Sequence, residues 1–235
     1  MSDNQAFDYS GTELAALVAA VNYHRWIFST IQPYLGDAIV EVGAGIGSIS
    51  TLLLETSPRK LVAFEPSKNL FPLLVQEVGQ DHRVQPINDV FKPHYLPDGV
   101  DSLVYVNVLE HIKDDEAELH CAFEALRSGG HLVVFSPALP WLFSDFDKHV
   151  GHHRRYTKTG LIDCAKAVGF RIVKAQYFDV LGILPWYINF VLLRGRPGRG
   201  SVKLYDKLVV PPMRFAESIL SPPIGKSVLL VATKE

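Results

Sequence analysis

An apolar run that passes without a break into glycines constrains this chain more than any other feature. Ala38 to Val42 leads into Gly43-Ala44-Gly45-Ile46-Gly47, with Glu41 two positions before the first glycine. Glycines there let the backbone approach a ligand closely and adopt angles closed to other residues. A second apolar run, Leu61 to Phe64, ends in Glu65-Pro66. An acid about 20 residues beyond such a loop can accept both hydroxyls of a ribose, in a ligand lying across the carboxyl ends of an open sheet.

The rest of the chain supplies that sheet. Further strands are predicted at Val84 to Ile87, Asp101 to Asn107, His131 to Ser136, Phe170 to Phe178 and Ser227 to Ala232. Residues 13 to 32 read as an amphipathic helix, on the spacing of Leu14, Leu17, Val21, Phe28 and Ile31, closed by Pro33. Other helices are predicted from Ser48 to Glu55, from Ser67 onward, from Asp114-Asp115-Glu116 to a stop at Gly129-Gly130, and from Thr159 to Val168. Pro137 to Tyr156 reads as a long loop. Strands alternating with helices predict an α/β fold, a doubly wound and mostly parallel sheet with helices on both faces.

At 235 residues with 48% hydrophobic content, one domain with a modest elaboration is expected. Residues 1–34 form an N-terminal helical lid, 35–178 the core, 179–226 an insertion or cap, and 227–235 the last strand. A formal net charge of -2 argues against a nucleic-acid partner, which usually asks for a large basic excess. Two cysteines without metal-like spacing suggest a reducing compartment. With no secretory signal and no apolar run long enough to span a bilayer, a cytoplasmic protein is expected.

Two ligand classes use a glycine loop of this kind. In the dinucleotide fingerprint the last glycine would fall at Ser48, and here it arrives one residue early. A pyrophosphate gains nothing from Glu41, whereas a cofactor bearing a cation or an amino acid does. Val40-Glu-Val-Gly-Ala-Gly-Ile-Gly47 resembles the first motif of the class I S-adenosylmethionine-dependent methyltransferases. The resemblance continues through Glu65, Asn88-Asp89, Asn107-Val-Leu-Glu-His-Ile112 and His152-His-Arg-Arg-Tyr-Thr157. It implies a Rossmann-like, seven-stranded sheet with an antiparallel last strand. It also implies S-adenosylmethionine as cofactor, with S-adenosylhomocysteine as product. By the same resemblance Glu65, with Pro66 beside it, takes the ribose, Asn88 and Asp89 flank the adenine, and Asn107 and Val108 line the methionine part. Tyr23 and Trp26 fall on a helix like the lid that some members fold over the cofactor, although they can equally pack that helix.

Residues 141 to 156 hold three histidines, two acids, three basic residues and several aromatics. An oxygen acceptor benefits from a base, a role that suits histidine. His149 or His152 is the expected base, with Asp147 orienting it; His111 either touches substrate or caps the helix that follows. Asp145, Asp147, His149 and His152 match no dependable metal spacing, so no metal is expected. Trp141, Phe143, Phe146 and Trp186-Tyr187 suit a saccharide or planar metabolite, and Arg154, Arg155 and Arg194 to Arg199 an anionic group.

The apolar stretch Val180 to Leu193 has three readings: a cap on the acceptor pocket, a homodimer contact, or a membrane-surface element. The first two are favoured because Arg194 to Lys207 reads as a flexible basic connection. The alternatives to a methyltransferase are an NAD(P)-dependent oxidoreductase and a non-catalytic cofactor-binding module on the same scaffold.

Overall fold

A computed structural model describes residues 19–96, 98–195 and 198–235. Its sheet has seven strands: β1 Ala38–Val42, β2 Lys60–Phe64, β3 Val84–Ile87, β4 Val100–Val106, β5 Leu126–Pro137, β6 Arg171–Phe178 and β7 Ser227–Thr233. The spatial order is β3-β2-β1-β4-β5-β7-β6. β1 to β5 pair in parallel, and β7 runs antiparallel to both β5 and β6. The sequence order reverses between β1 and β4, which places the switch point beside the glycine loop.

Alternate strand residues face opposite sides, as the pleat requires. Val40, Leu103, Leu132 and Leu230 pack under helices α4 (Asp115–Ala125) and α6 (Lys158–Val168). Ile39, Val104, Val133 and Leu229 pack under α1 (Val21–Ile31) and α2 (Ser48–Leu54). The remaining early helix, α3 (Phe71–Val78), covers Ala63.

Most differences from the sequence reading lie at element ends, where local hydrogen bonds decide. α3 begins at Phe71, four residues after Ser67, with residues 68–70 in a turn and Phe71 N–H donating to Ser67 O at 3.0 Å. α4 stops at Ala125 instead of at Gly129-Gly130. Those glycines pair with the chain's end instead: Gly129 N–H donates to Lys234 O at 2.6 Å, and Lys234 N–H to Gly130 O at 3.1 Å. Lys234 Nζ meanwhile donates to the Phe123 and Leu126 carbonyls at the end of α4. The expected loop 137–156 contains a short helix, α5 (Asp145–His149), which opens with a reciprocal cap between Ser144 and Asp147.

Of the expected lid only the later part is described. Leu14 and Leu17 lie outside the described residues; among those described, the first helix is Val21–Ile31. Its Trp26, Ile27, Phe28 and Ile31 are buried in the core.

The described part of residues 179–226 is also more ordered than its composition suggests. It forms α7 (Ile183–Trp186, continuing as a π-helical turn Tyr187–Leu192), α8 (Arg199–Leu208) and α9 (Val210–Ile219). The supposed flexible basic connection is therefore largely helix α8. Its Asp206 accepts the backbone N–H groups of Asn22 and Tyr23 at 3.0 and 2.9 Å, capping α1 from across the molecule. Loss of such a cap costs about 0.5–2 kcal/mol, so Asp206→Ala is expected to lower Tm by a few degrees in a thermal melt.

Candidate active site

Register builds the site. Val42 stands opposite Phe64 and Tyr105, and Phe64 opposite Ile87, so β1 to β4 end at one level. The residues just beyond them meet there. Gly43, Gly45 and Gly47 all take positive φ, at 69°, 60° and 90°, which turns the chain sharply from β1 into α2. Ala44 N–H donates to Phe64 O at 2.8 Å. A Cβ on Gly43 would lie 2.5 Å from Val108 Cγ2, so only glycine admits Val108 so close. Nothing lies within 4 Å of where a Cβ on Gly45 would stand, so the loop borders open space.

Two buried carboxylates underlie this loop. Glu65 accepts Gly45 N–H at 2.7 Å on one oxygen and Ser67 N–H at 2.8 Å on the other. Burial raises its pKa, and the two amides pull it back in part. Asn88 Nδ2 donates to Glu65 O at 2.8 Å, and Pro66 is half-buried beside it. Glu41 is held by Ser50 Oγ, and burial pushes its carboxyl up to about 8. Asn107 is exposed at the end of β4 with φ 55°. Glu41, Gly43, Ala44, Gly45, Gly47, Glu65, Pro66, Asn88, Asn107 and Val108 thus gather at one edge.

The remaining three expected cofactor residues are placed differently. Trp26 is 4% exposed, its ring 4.6 Å from Phe178, packed in the apolar core. Tyr23 packs edge-on against Trp26 and Phe135, and its hydroxyl meets Ser227 Oγ at 3.2 Å. Asp89 is taken up by its own turn: its carboxylate accepts Val90 N–H, Lys92 Nζ and Tyr95 Oη.

A second polar group lies past β4 and β5. Asp147 is fully buried and binds Arg155 through both oxygens, with Nε 3.0 Å from Oδ1 and an Nη 3.2 Å from Oδ2. Burial opposes its charge, but His152, Arg155 and Ser144 outweigh that and lower its pKa. An ionised carboxylate only accepts, so His152 Nδ1, 2.9 Å from Asp147 Oδ1, must carry the proton. His152 Nε2 then offers its lone pair toward Glu110 Oε1, 3.9 Å away. Glu110 is fully buried; Oε2 accepts from Ser136 Oγ at 3.0 Å, and Oε1 has no hydrogen-bond partner among the described residues. Burial raises Glu110 to about 7. His111 lies edge-on to His152 with centroids 4.5 Å apart, and burial with the neighbouring imidazoles lowers it to about 4.

His149 is exposed at the end of α5. His152, Asp147 and His111 come together; the addition that sequence reasoning missed is Glu110. Its signal was present in Asn107-Val-Leu-Glu-His-Ile112, but spacing alone did not show it facing a histidine 42 positions on. Glu110, His111 and His152 place one ligand atom each within 4.8 Å of one another, which is a group able to hold a cation. Asp145, Asp147 and His149 do not join it. Arg154 and Arg155 each already hold a carboxylate, Asp115 and Asp147 respectively, and Arg155 is fully buried in doing so.

Against this geometry the comparisons are specific about family. A model of the methyltransferase domain matches residues 27–175, well over half of the chain. The chain belongs to the methyltransferase-domain family. No curated protein sequence matches it. Solved methyltransferases share the fold at low identity. A phosphoethanolamine N-methyltransferase 2 from Haemonchus contortus, solved with S-adenosyl-L-methionine, is 14% identical with TM-score 0.63; the alignment covers 100% of this chain and 60% of that one. S-adenosylmethionine-dependent methyltransferases from Archaeoglobus fulgidus and Mesorhizobium loti are 14% and 16% identical, each with TM-score 0.58. They cover 90% and 88% of this chain, and the alignments span 94% and 95% of theirs.

In this methyltransferase domain the Asp147–Arg155 pair holds α5 to the loop that follows it. Removing one partner of a buried pair strands the other charge, at about 3–5 kcal/mol. Arg155→Met is expected to lower unfolding stability by that amount in urea denaturation, and to shift the His152 imidazole resonances.

Proposed function

We propose that this methyltransferase transfers the methyl group of S-adenosylmethionine to a hydroxyl of a saccharide or similar small metabolite, with His152 as the base. The glycine loop, Glu41, Glu65, Pro66, Asn88, Asn107 and Val108 would hold the cofactor, with Asp89 at the rim beyond them. When bound, the cofactor supplies an electrophilic methyl on a sulfonium, whose leaving group needs no proton. The chain's own tasks are to hold the acceptor oxygen in line and to take its proton. Positioning of that kind can lower a barrier by roughly 7–11 kcal/mol.

The observation that carries an oxygen acceptor is the unpartnered Glu110 Oε1 facing an imidazole whose tautomer is set by Asp147. A hydroxyl placed against both finds two acceptors for its one proton. His111, half-buried beside them, lines the approach, and His149 is too exposed to share the pair's environment. Trp141, exposed and edge-on to Tyr187 at 6.0 Å, supports a stacking surface for a sugar ring.

A second reading rests on the same three side chains, Glu110, His111 and His152, which would hold a divalent cation that polarises the hydroxyl. One set of measurements separates the two. Under the base reading, His152→Gln lowers kcat by about 10²- to 10⁴-fold and leaves S-adenosylhomocysteine affinity unchanged. Ionised Glu110, 3.9 Å from His152 Nε2, makes that imidazole the stronger base, so the rate rises with pH as Glu110 ionises through about 7 and Glu110→Gln removes that limb. A chelator has no effect. Loss of activity with chelator, restored by a divalent metal, would replace the base reading by the metal one; full activity in His152→Gln would refute both.

A further inference from the structure

We infer that the outer surface of residues 180–195 and 198–224 docks in the plane of an anionic lipid bilayer. The inference goes beyond methyl transfer and does not depend on it. Three helices contribute, and each is two-faced. On α7 the inner side carries Trp186, whose ring covers Arg155 at 4.5 Å and whose Nε1 donates to Leu142 O at 3.2 Å. The opposite side carries Leu184, Ile188 and Leu192, 64%, 40% and 58% exposed, with Leu181, 56% exposed, in the turn just before the helix. Leu204 and Leu208 on α8 are both exposed at i, i+4, and so are Phe215 and Ile219 on α9. The segments are contiguous: Leu181, Leu208, Pro212 and Ala216 line one open apolar depression of about 420 Å³. A soluble monomer rarely exposes apolar area on this scale without a partner for it.

Charge names the partner. Residues 180–226 carry seven lysines and arginines against two acids, Asp206 and Glu217, while the whole chain has 23 against 25. Both acids are held by backbone amides, Asp206 buried and Glu217 in the wall of that depression. Asp206 caps α1, and Glu217 accepts the backbone N–H groups of Asp179 and Val180 at 3.2 and 3.0 Å. Lys203 and Lys207 flank the Leu204–Leu208 stripe one step round the helix, Arg214 sits beside Phe215, and Arg194 follows Leu193; all four are exposed. Arg194 lies 3.6 Å from Asp145, but among the described residues no carboxylate pairs with Lys203, Lys207 or Arg214. An apolar stripe edged by basic residues is the pattern of an element lying in the headgroup layer of an anionic membrane. A second copy fits less well, because a two-fold contact would set the same cations against one another. No helix among the described residues is long and apolar enough to cross a membrane, so the contact is interfacial. The inner face of α7 covers the histidine loop, so docking through its outer face holds the candidate active site close to the bilayer.

The test is flotation of the full chain with vesicles of phosphatidylcholine alone or mixed with phosphatidylglycerol. Binding is expected only with phosphatidylglycerol and is expected to fall with added salt. Lys203→Ala and Lys207→Ala should each weaken it about fivefold, and Leu184→Ser with Ile188→Ser should abolish it, with thermal melts unchanged in every variant. No binding to phosphatidylglycerol vesicles overturns the inference. So does binding that none of these variants changes, or a dimer in light scattering that Leu184→Ser with Ile188→Ser dissolves while vesicles are ignored.

Discussion

Parallel backbone hydrogen bonding sets Val42 opposite Phe64 and Tyr105, and Phe64 opposite Ile87, and the rest of the carboxyl edge follows from that alignment. Because the strands end level, the residues just past them are forced into contact. Gly43 meets Val108, Gly45 meets Glu65, and Glu65 meets Asn88. A one-residue slip of β1 would turn Glu41 to the other face of the sheet and carry the glycines away from Glu65. The apolar strand cores enforce the register, so packing energy far from the site is what positions it.

The same edge collects buried carboxylates. Glu41 lies one residue before the end of β1, Glu65 follows β2, Glu110 follows β4, Asp147 follows β5 and Asp179 follows β6, and each is 5% exposed or less. Buried acids destabilise a fold unless they are partnered. Here Ser50, two loop amides, Ser136, Arg155 with His152, and Lys226 with Gly182 supply the partners. Asp179 also ties the insertion at both ends, through Gly182 N–H at its start and Lys226 at its close. The insertion is therefore fastened by polar contacts underneath, which leaves its leucines and lysines on the outside.

How much the sequence disclosed follows from how local each signal is. β1 is legible to the residue, because an apolar run that passes straight into glycine has little freedom; β3 matches its expected bounds, set between Arg83 and Asn88, although Gln85 and Pro86 interrupt its apolar character. The glycine loop with Glu41 and Glu65 was legible because the spacing itself carries the geometry. Trp26 was ambiguous, since a helix residue that packs and one that touches a ligand look alike until the neighbouring Phe178 is known. Glu110 was missed because its partner comes from another segment. α8 was mistaken for a flexible link, because its glycines and charges hid the inward-facing Asp206 that fastens it to α1. Long-range polar contacts of this kind leave no periodic trace.

The measurement that tests the central claim most directly is calorimetric titration of the protein with S-adenosylhomocysteine, and separately with NAD and NADP. The account predicts saturable binding of S-adenosylhomocysteine, lost in Glu65→Ala, and none of either dinucleotide. Binding of a dinucleotide with no response to S-adenosylhomocysteine would contradict it.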